Sequence, residues 1–431
     1  MTSEALDVRL DIFGQQPRHN RLYTPICFGF PCDEDLDEES VTTFLRDGLR
    51  RLALAFPWIA AQVVRDEAGV FRIRRCDGAS AFLQLMVKDL RQDLPAAIAK
   101  HLSLGGGGIR ASLLDETILA PCGTFCHPTT PTNATGGSGK PPAAAVFILQ
   151  ANLVPGGLLL VANGLHSCMD MAGQAHMMRL LAKACRGEPF SAEELATGNM
   201  SRRDILQPLL GLSDEELLRK PADGIVPVRK RGETKDDRSN TSAAAAVGAS
   251  VHLHGEQQPP HPPPAQPRWS TFVFPGPSLQ ALKATASATL PSPTDEEGQT
   301  PSFISTDDAL TALLWRSITR SRLPRLSSSS TTQMTRTVDA RGHVPGLPRA
   351  YPGDAAFKVS STSDAASLVA KPLDAVAAEL RARLRPDEVR DGIRAHVAKL
   401  TSNDIVVDGD GGAGGEAGVG VASSICIRPR A

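Results

Sequence analysis

The stretch Asn163-Gly164-Leu165-His166-Ser167-Cys168-Met169-Asp170-Met171-Ala172-Gly173-Gln174 joins an apolar run to an amphipathic one. A histidine in such a loop is held on a rigid backbone by the strand before it and the helix after it. Imidazole, with an ordinary pKa near 6.5, accepts a proton at neutral pH, so His166 is the candidate general base. Asp170, four residues on, can cap the following helix or anchor the loop through a charge pair. The spacing alone is a weak signal: with ten histidines, and Asp at roughly one residue in twenty, an H-x-x-x-D match arises by chance in about half of such chains. Cys168 offers a thiol beside His166, or else a small packing group. Cys122, Cys126 and His127 lack a second ligand cluster at zinc-like spacing, so no metal is expected. The glycines at 105–108 have no Gly-Lys-Ser/Thr after them and read as a loop rather than a phosphate cradle.

Several elements must position these groups. Residues 146–152 and 158–162 read as buried strands joined by a Pro155-Gly156-Gly157 turn, followed by a helix over 171–185. That helix sets Met178, Leu181, Ala182 and Cys185 on one face, and Gly187 is placed to end it. A helix over 41–56 carries Val41, Phe44, Leu45, Leu49 and Leu52 at helical spacing and stops at Pro57. A strand pair at 59–64 and 70–74 follows. Further on, 269–274 alternates as a strand, and 307–320 is a helix with Ser305 or Thr306 as its N-cap. Alternating strands and helices in both halves give an α/β or mixed α+β class.

A length of 431 residues suits two or three domains. The 46 basic and 47 acidic residues leave a formal net charge of −1, which gives no electrostatic case for nucleic acid or an anionic membrane as partner. Only 14 Phe, 2 Tyr and 3 Trp are present, too few for base-stacking platforms. The most apolar stretch, 143–161, is broken by Gln150, Asn152 and Pro155, so no membrane span is expected. With no secretory leader in view, the expected setting is the cytoplasm, and the eight cysteines are expected as free thiols. Low-complexity sequence at 129–142 reads as a loop insertion, and the Pro- and Ala-rich 229–267 as a linker. The expected division is an N-terminal domain at 1–210, a crossover and linker at 211–267, and a C-terminal domain at 268–431.

Longer blocks add a resemblance. NGLHSCMDMAGQ, LLAKACRGEPF, FISTDDALTALLWRSITRSRL and TVDARG, with smaller echoes at AFPWIAAQV and SLLDETILAP, occur in one order between Leu22 and Ser424. In that order they resemble the fungal, trichothecene 3-O-acetyltransferase-like branch of the CoA-dependent BAHD acyltransferases. The resemblance implies a mixed α/β, two-domain, chloramphenicol-acetyltransferase-like fold with the active-site channel between the domains. It implies acyl transfer, with acetyl-CoA as co-substrate and no permanently bound cofactor, to a hydroxyl of a small hydrophobic metabolite such as a trichothecene-like sesquiterpenoid. His166 then matches the general base. Asp170 matches a structural aspartate that pairs with the arginine of a D-x-R segment, here Arg341 of Asp339-Ala340-Arg341, and Gly173 lets the helix pack closely. Direct transfer without an acyl-enzyme makes Cys168 a packing residue. A monomer is expected, and the CoA-contacting residues are not assigned.

One departure stands out. The family's D-F-G-x-G motif and the Ser-Ser-Trp before it are not intact: the chain reads Ser423-Ser424 and continues Ile425-Cys426, after a segment at 409–420 with seven glycines in twelve residues. The expectation is a second domain truncated in this region. Two functional readings follow, a working O-acyltransferase and an inactive chain that retains at most ligand binding.

Overall fold

The computed structural model describes residues 6–16, 19–32, 36–75, 84–91, 119–120, 144–203, 205–206, 211, 213, 216, 272–288, 290, 301–326 and 330–401. The loop insertion at 129–142, the linker at 229–267, the Cys122, Cys126 and His127 group, the glycines at 105–108 and the tail from 409 lie outside the described residues.

In chain order the elements are β1 (Asp7–Arg9), β2 (Tyr23–Pro31), α1 (Glu38–Ala55), β3 (Gln62–Arg65), β4 (Phe71–Arg74), β5 (Gln84–Asp89), β6 (Ala144–Ala145), β7 (Phe147–Val154), β8 (Gly157–Leu165), α2 (Met171–Cys185) and α3 (Ala192–Gly198). The second half adds α4 (Gly276–Ala286), α5 (Thr306–Arg322), β9 (Thr331–Asp339), β10 (Ala356–Asp364), α6 (Ala365–Ala370), α7 (Leu373–Ala382) and α8 (Pro386–Thr401). The strands form a sheet of order β1-β4-β3-β6, a sheet of order β2-β8-β7-β5 and a β9-β10 pair. In the second sheet β5 runs parallel to β7, and the other pairings are antiparallel.

The β7–β8 hairpin is the floor of the site. Every residue of β7 is buried, and an apolar side chain lost from water on both faces of a strand is the pattern of a central strand. Gln150 and Asn152 interrupt that run without penalty because both side-chain amides donate to the Leu119 carbonyl, at 3.0 and 2.9 Å. α2 packs directly against α1, and Met177, Leu180, Leu181 and Ala184 lie in the apolar cluster they share with the sheet. One position of the expected face departs: Leu181 is buried and Met178 and Cys185 pack against the core, but Ala182 is exposed. The buried stripe includes Gln174 and His176, polar residues that a hydrophobicity count discards. Phe44 of α1 is likewise 54% exposed while Leu45, Leu49 and Leu52 are buried. Helix α2 ends where expected: Gly187 takes φ +72°, and the amides of Gly187 and Glu188 return to the carbonyls of Ala184 and Lys183.

Two other local readings change. The first part of the expected strand at 59–64 is a 3-10 turn, Pro57–Ala60, because Pro57 presets φ for a turn that buries Trp58 and Ile59. The expected strand at 269–274 is irregular over its described part, and Phe272 and Val273 are 77% and 85% exposed. Among the described residues no strand pairs with it, and alternation alone does not make a ladder.

In the second half, Ser305 caps α5, forming a reciprocal capping box with Asp308. Asp308 also binds Arg336 at 2.7 Å and Arg381, which ties α5 to β9 and α7. One apolar cluster joins the halves: Phe13 and Leu206 pack with Tyr351, Phe357, Val389 and Ile393. No helix among the described residues is long and apolar enough to cross a membrane.

Candidate active site

His166 follows directly on β8. Its amide donates to the Leu22 carbonyl at 2.8 Å, and the Ser167 amide donates to His19 at 3.2 Å, so the turn is tied to the segment leading into β2. Cys168 and Met169 donate back to Leu165, which closes the turn tightly. Asp170 then caps α2, its Oδ1 accepting the Gly173 amide at 2.8 Å. Within eight residues the chain passes from buried strand to capped helix, and His166 sits at the bend.

Arg341 reaches this cap from the other half of the chain. β9 ends at Asp339, whose side chain accepts the Arg341 amide and Nη1 in a short turn. The Arg341 guanidinium meets Asp170 in a fork, Nη1 to Oδ2 and Nη2 to Oδ1, both 2.9 Å. Its remaining donors go to Asp339 and to the carbonyls of Tyr351 and Gly353, so all five N–H groups are matched. Neither side chain retains more than 6% of its surface. Burial opposes the charge on Arg341, but Asp170 and Asp339 outweigh it and its pKa is raised.

The same contacts seat residues 351–355 on the N-terminus of α2. Asp170 Oδ2 accepts the Ala355 amide at 2.9 Å. Gly173 lies against this loop so closely that a Cβ there would stand 2.2 Å from the Pro352 carbonyl oxygen. The Gly173→Ala variant is therefore expected to lose about 1–3 kcal/mol of stability, since a backbone cannot yield as a side chain tip does. Thermal unfolding checks this, and an unchanged melting temperature would show that the loop has room to move.

Seating this loop delivers Asp354 to the histidine. Its Oδ2 lies 3.3 Å from His166 Nδ1 and 2.9 Å from His19 Nδ1. The two imidazole rings stand 4.6 Å apart between centroids. Asp354 is fully buried, and burial works against its charge. The two histidines more than offset that and hold its carboxyl well below the usual carboxylate range. For His166 burial likewise disfavours the charged ring, but the hydrogen bond and charge of Asp354 prevail and its pKa is raised. Asp11, which accepts the Tyr351 hydroxyl at 2.6 Å, is pushed up to about 6 by burial and then by the charge of Asp354. Burial pushes the Cys168 thiol up to about 12, so it carries almost no thiolate at neutral pH and fills space beside His166.

Thus the structure places Asp170, Arg341 and Gly173 in one cluster beneath His166. His19, His166 and Asp354 also form a group whose ligating atoms lie within 4.8 Å of one another, the kind of set that can hold a cation. His19 and Asp354 carry no sequence signal as functional residues. His19 stands in a polar stretch before β2, and Asp354 in Tyr351-Pro352-Gly353-Asp354 reads as a turn.

Comparison with known proteins agrees with this architecture. The profile of the trichothecene 3-O-acetyltransferase-like N-terminal domain matches residues 22–185, and that of the Transferase family matches 276–425. O-acetyltransferase dmxR13 of Cryptosporiopsis sp. is 35% identical over 92% of this chain and 77% of its own length. Trichothecene 3-O-acetyltransferase TRI101 of Fusarium sporotrichioides is 33% identical over 90% of this chain and 75% of its own. The crystal structure of that F. sporotrichioides enzyme complexed with coenzyme A and T-2 superposes with a TM-score of 0.71 at 29% identity, covering 93% of this chain and 79% of that one. Vinorine synthase, at 14% identity and a TM-score of 0.52, shares the fold. With both profiles in order and such relatives matched over most of their length, the chain belongs to the trichothecene 3-O-acetyltransferase-like family of O-acyltransferases.

Proposed function

We propose that this chain transfers an acetyl group from acetyl-CoA to a hydroxyl of a hydrophobic secondary metabolite of trichothecene-like chemistry, with His166 as the general base. The observation that carries the reading is the state of His166. Its Nδ1 edge is buried against Asp354, while 19% of the side chain stays exposed on other atoms. A base so held can take a proton from a hydroxyl delivered to its other edge. The acceptor oxygen bonds to the thioester carbonyl carbon as its proton passes to His166. The tetrahedral intermediate then collapses, the C–S bond breaks, and the proton leaves with CoA as its thiol.

In this reading Asp170 and Arg341 do no proton chemistry. They fasten the second half of the chain, 268–431, onto the helix that follows the base in the first half, 1–210, and Gly173 permits the close fit. The reading places a monomer in the cytoplasm, working without nucleic acid, membrane or a resident cofactor.

Relatives support the substrate class, since F. sporotrichioides TRI101 was crystallised with coenzyme A and T-2 and the curated relatives are named as O-acetyltransferases. The test is release of free CoA thiol from acetyl-CoA in the presence of a panel of alcohols, among them a trichothecene with a free hydroxyl, together with mass detection of the ester. The expected result is an acetylated product formed in step with CoA. Absence of any ester across the panel, with a folded protein, would overturn the reading in favour of a chain that binds ligand without turning it over.

A further inference from the structure

We infer that Asp354 is the positioning residue of the base, and that His166, Asp354 and His19 form a two-histidine carboxylate cluster that fixes which ring nitrogen of His166 faces the substrate. This rests on the proposed role of His166 as base. A carboxylate has only lone pairs to offer, and its Oδ2 faces Nδ1 of both rings, at 3.3 and 2.9 Å. None of these three buried atoms has a hydrogen-bond partner of good geometry, and the 2.9 and 3.3 Å approaches are the polar contacts between them. A bare nitrogen lone pair turned toward the carboxylate would be repelled, so each Nδ1 carries its proton there. In the neutral ring of His166 the lone pair is then left on Nε2, away from Asp354 and available to a hydroxyl. When Nε2 takes the acceptor proton, the imidazolium forms beside a carboxylate already in place, and no group has to move to stabilise it.

The carboxylate itself is fixed. Its Oδ1 accepts the Ala356 amide at 3.1 Å, and the loop that carries it is pinned by the Arg341 contacts to Tyr351 and Gly353. The charged and titratable groups facing the cluster are Asp170 and Arg341 at the start of α2, Asp11 with Tyr351 and Arg202, and His396 of α8 with Lys399 and Lys358 beyond it. His19 shares the oxygen without touching the reacting atoms, so it acts on Asp354 and only through it on the base.

Asp354→Asn is nearly isosteric and inverts the logic. The amide can donate an N–H to Nδ1, which favours the tautomer with the proton on Nε2, the wrong nitrogen for a base. The expected loss is about 10²–10⁴-fold in kcat with KM for acetyl-CoA little changed. The acidic limb of the rate profile should move to lower pH, because the raised pKa of His166 depends on Asp354: a base must be neutral to act, so its activity rises with pH through its own pKa. His19→Gln should cost less than about tenfold.

The decisive measurement does not require turnover. Long-range proton–nitrogen correlation on 15N-histidine-labelled protein, with His166 assigned by loss of its signals in His166→Gln, reads the tautomer directly. The Nδ1–H form in the parent protein and the Nε2–H form in Asp354→Asn support the inference. An Nε2–H form in the parent, or full kcat in Asp354→Asn, overturns it. So does loss of activity with a chelator and its return on adding Zn²⁺, which would make the cluster a metal site. If no acceptor alcohol reacts, the proposed function fails while the tautomer measurement still decides this inference.

Discussion

The His166→Ala variant is expected to lose about 10²–10⁴-fold of kcat while its melting temperature moves by about 1 °C or less. The catalytic part of this expectation follows from removing the group proposed to accept the hydroxyl proton. The stability part follows from what remains. The His166 amide still donates to Leu22, and Asp354 keeps His19 at 2.9 Å, so the buried carboxylate is not abandoned. His166 itself is only partly buried, with 19% of its side chain exposed. Thiol-release kinetics and thermal unfolding on the same preparation separate the two effects. A variant that keeps a third or more of the parental kcat would remove His166 from the chemistry.

Arg341→Ala should behave in the opposite way. It removes the fork on Asp170 and leaves that carboxylate buried with the amides of Gly173 and Ala355 as partners, while the carbonyls of Tyr351 and Gly353 lose their donors. Breaking one side of such a buried pair costs about 3–5 kcal/mol. Spread over the unfolding entropy of a chain of 431 residues, that is a fall in melting temperature of about 3–6 °C. Arg341→Lys should recover only part of it, because an ammonium brings three donors and no planar fork to a site that uses five. Calorimetry on the two variants tests this directly. A melting temperature equal to the parent's in Arg341→Ala would mean that the pair contributes nothing to holding the halves together.

The scaffold of the site was more legible in the chain than its electrostatics. The β7–β8 hairpin and α2 are visible because their signals are local: two apolar runs, a Pro-Gly-Gly turn, a helical stripe and a terminating Gly187. One position of that stripe differs. Ala182 looks as apolar as Ala184, and only the surface underneath decides which of them faces in. Phe44 misleads for the same reason. Helix α4 follows a stretch whose alternation points to a strand, and the pattern cannot report a missing partner. At the site, His166 and Asp170 stand out by their position between strand and helix, whereas Arg341 becomes visible only through the family likeness. His19 and Asp354 stay hidden because their meeting depends on how a turn from one half is docked on the other, a tertiary fact with no short-range trace.

That docking also matters for recombining this gene with its relatives. Asp170 and Arg341 lie 171 residues apart in the chain, so any single crossover between them draws the helix cap from one parent and the loop that covers it from the other. An arginine supplied by either parent restores the fork, but a parent without a carboxylate at position 354 would hand the histidine a silent neighbour. Well-folded hybrids with poor turnover are the expected offspring of such a cross, and the residue to inherit together with His166 is Asp354.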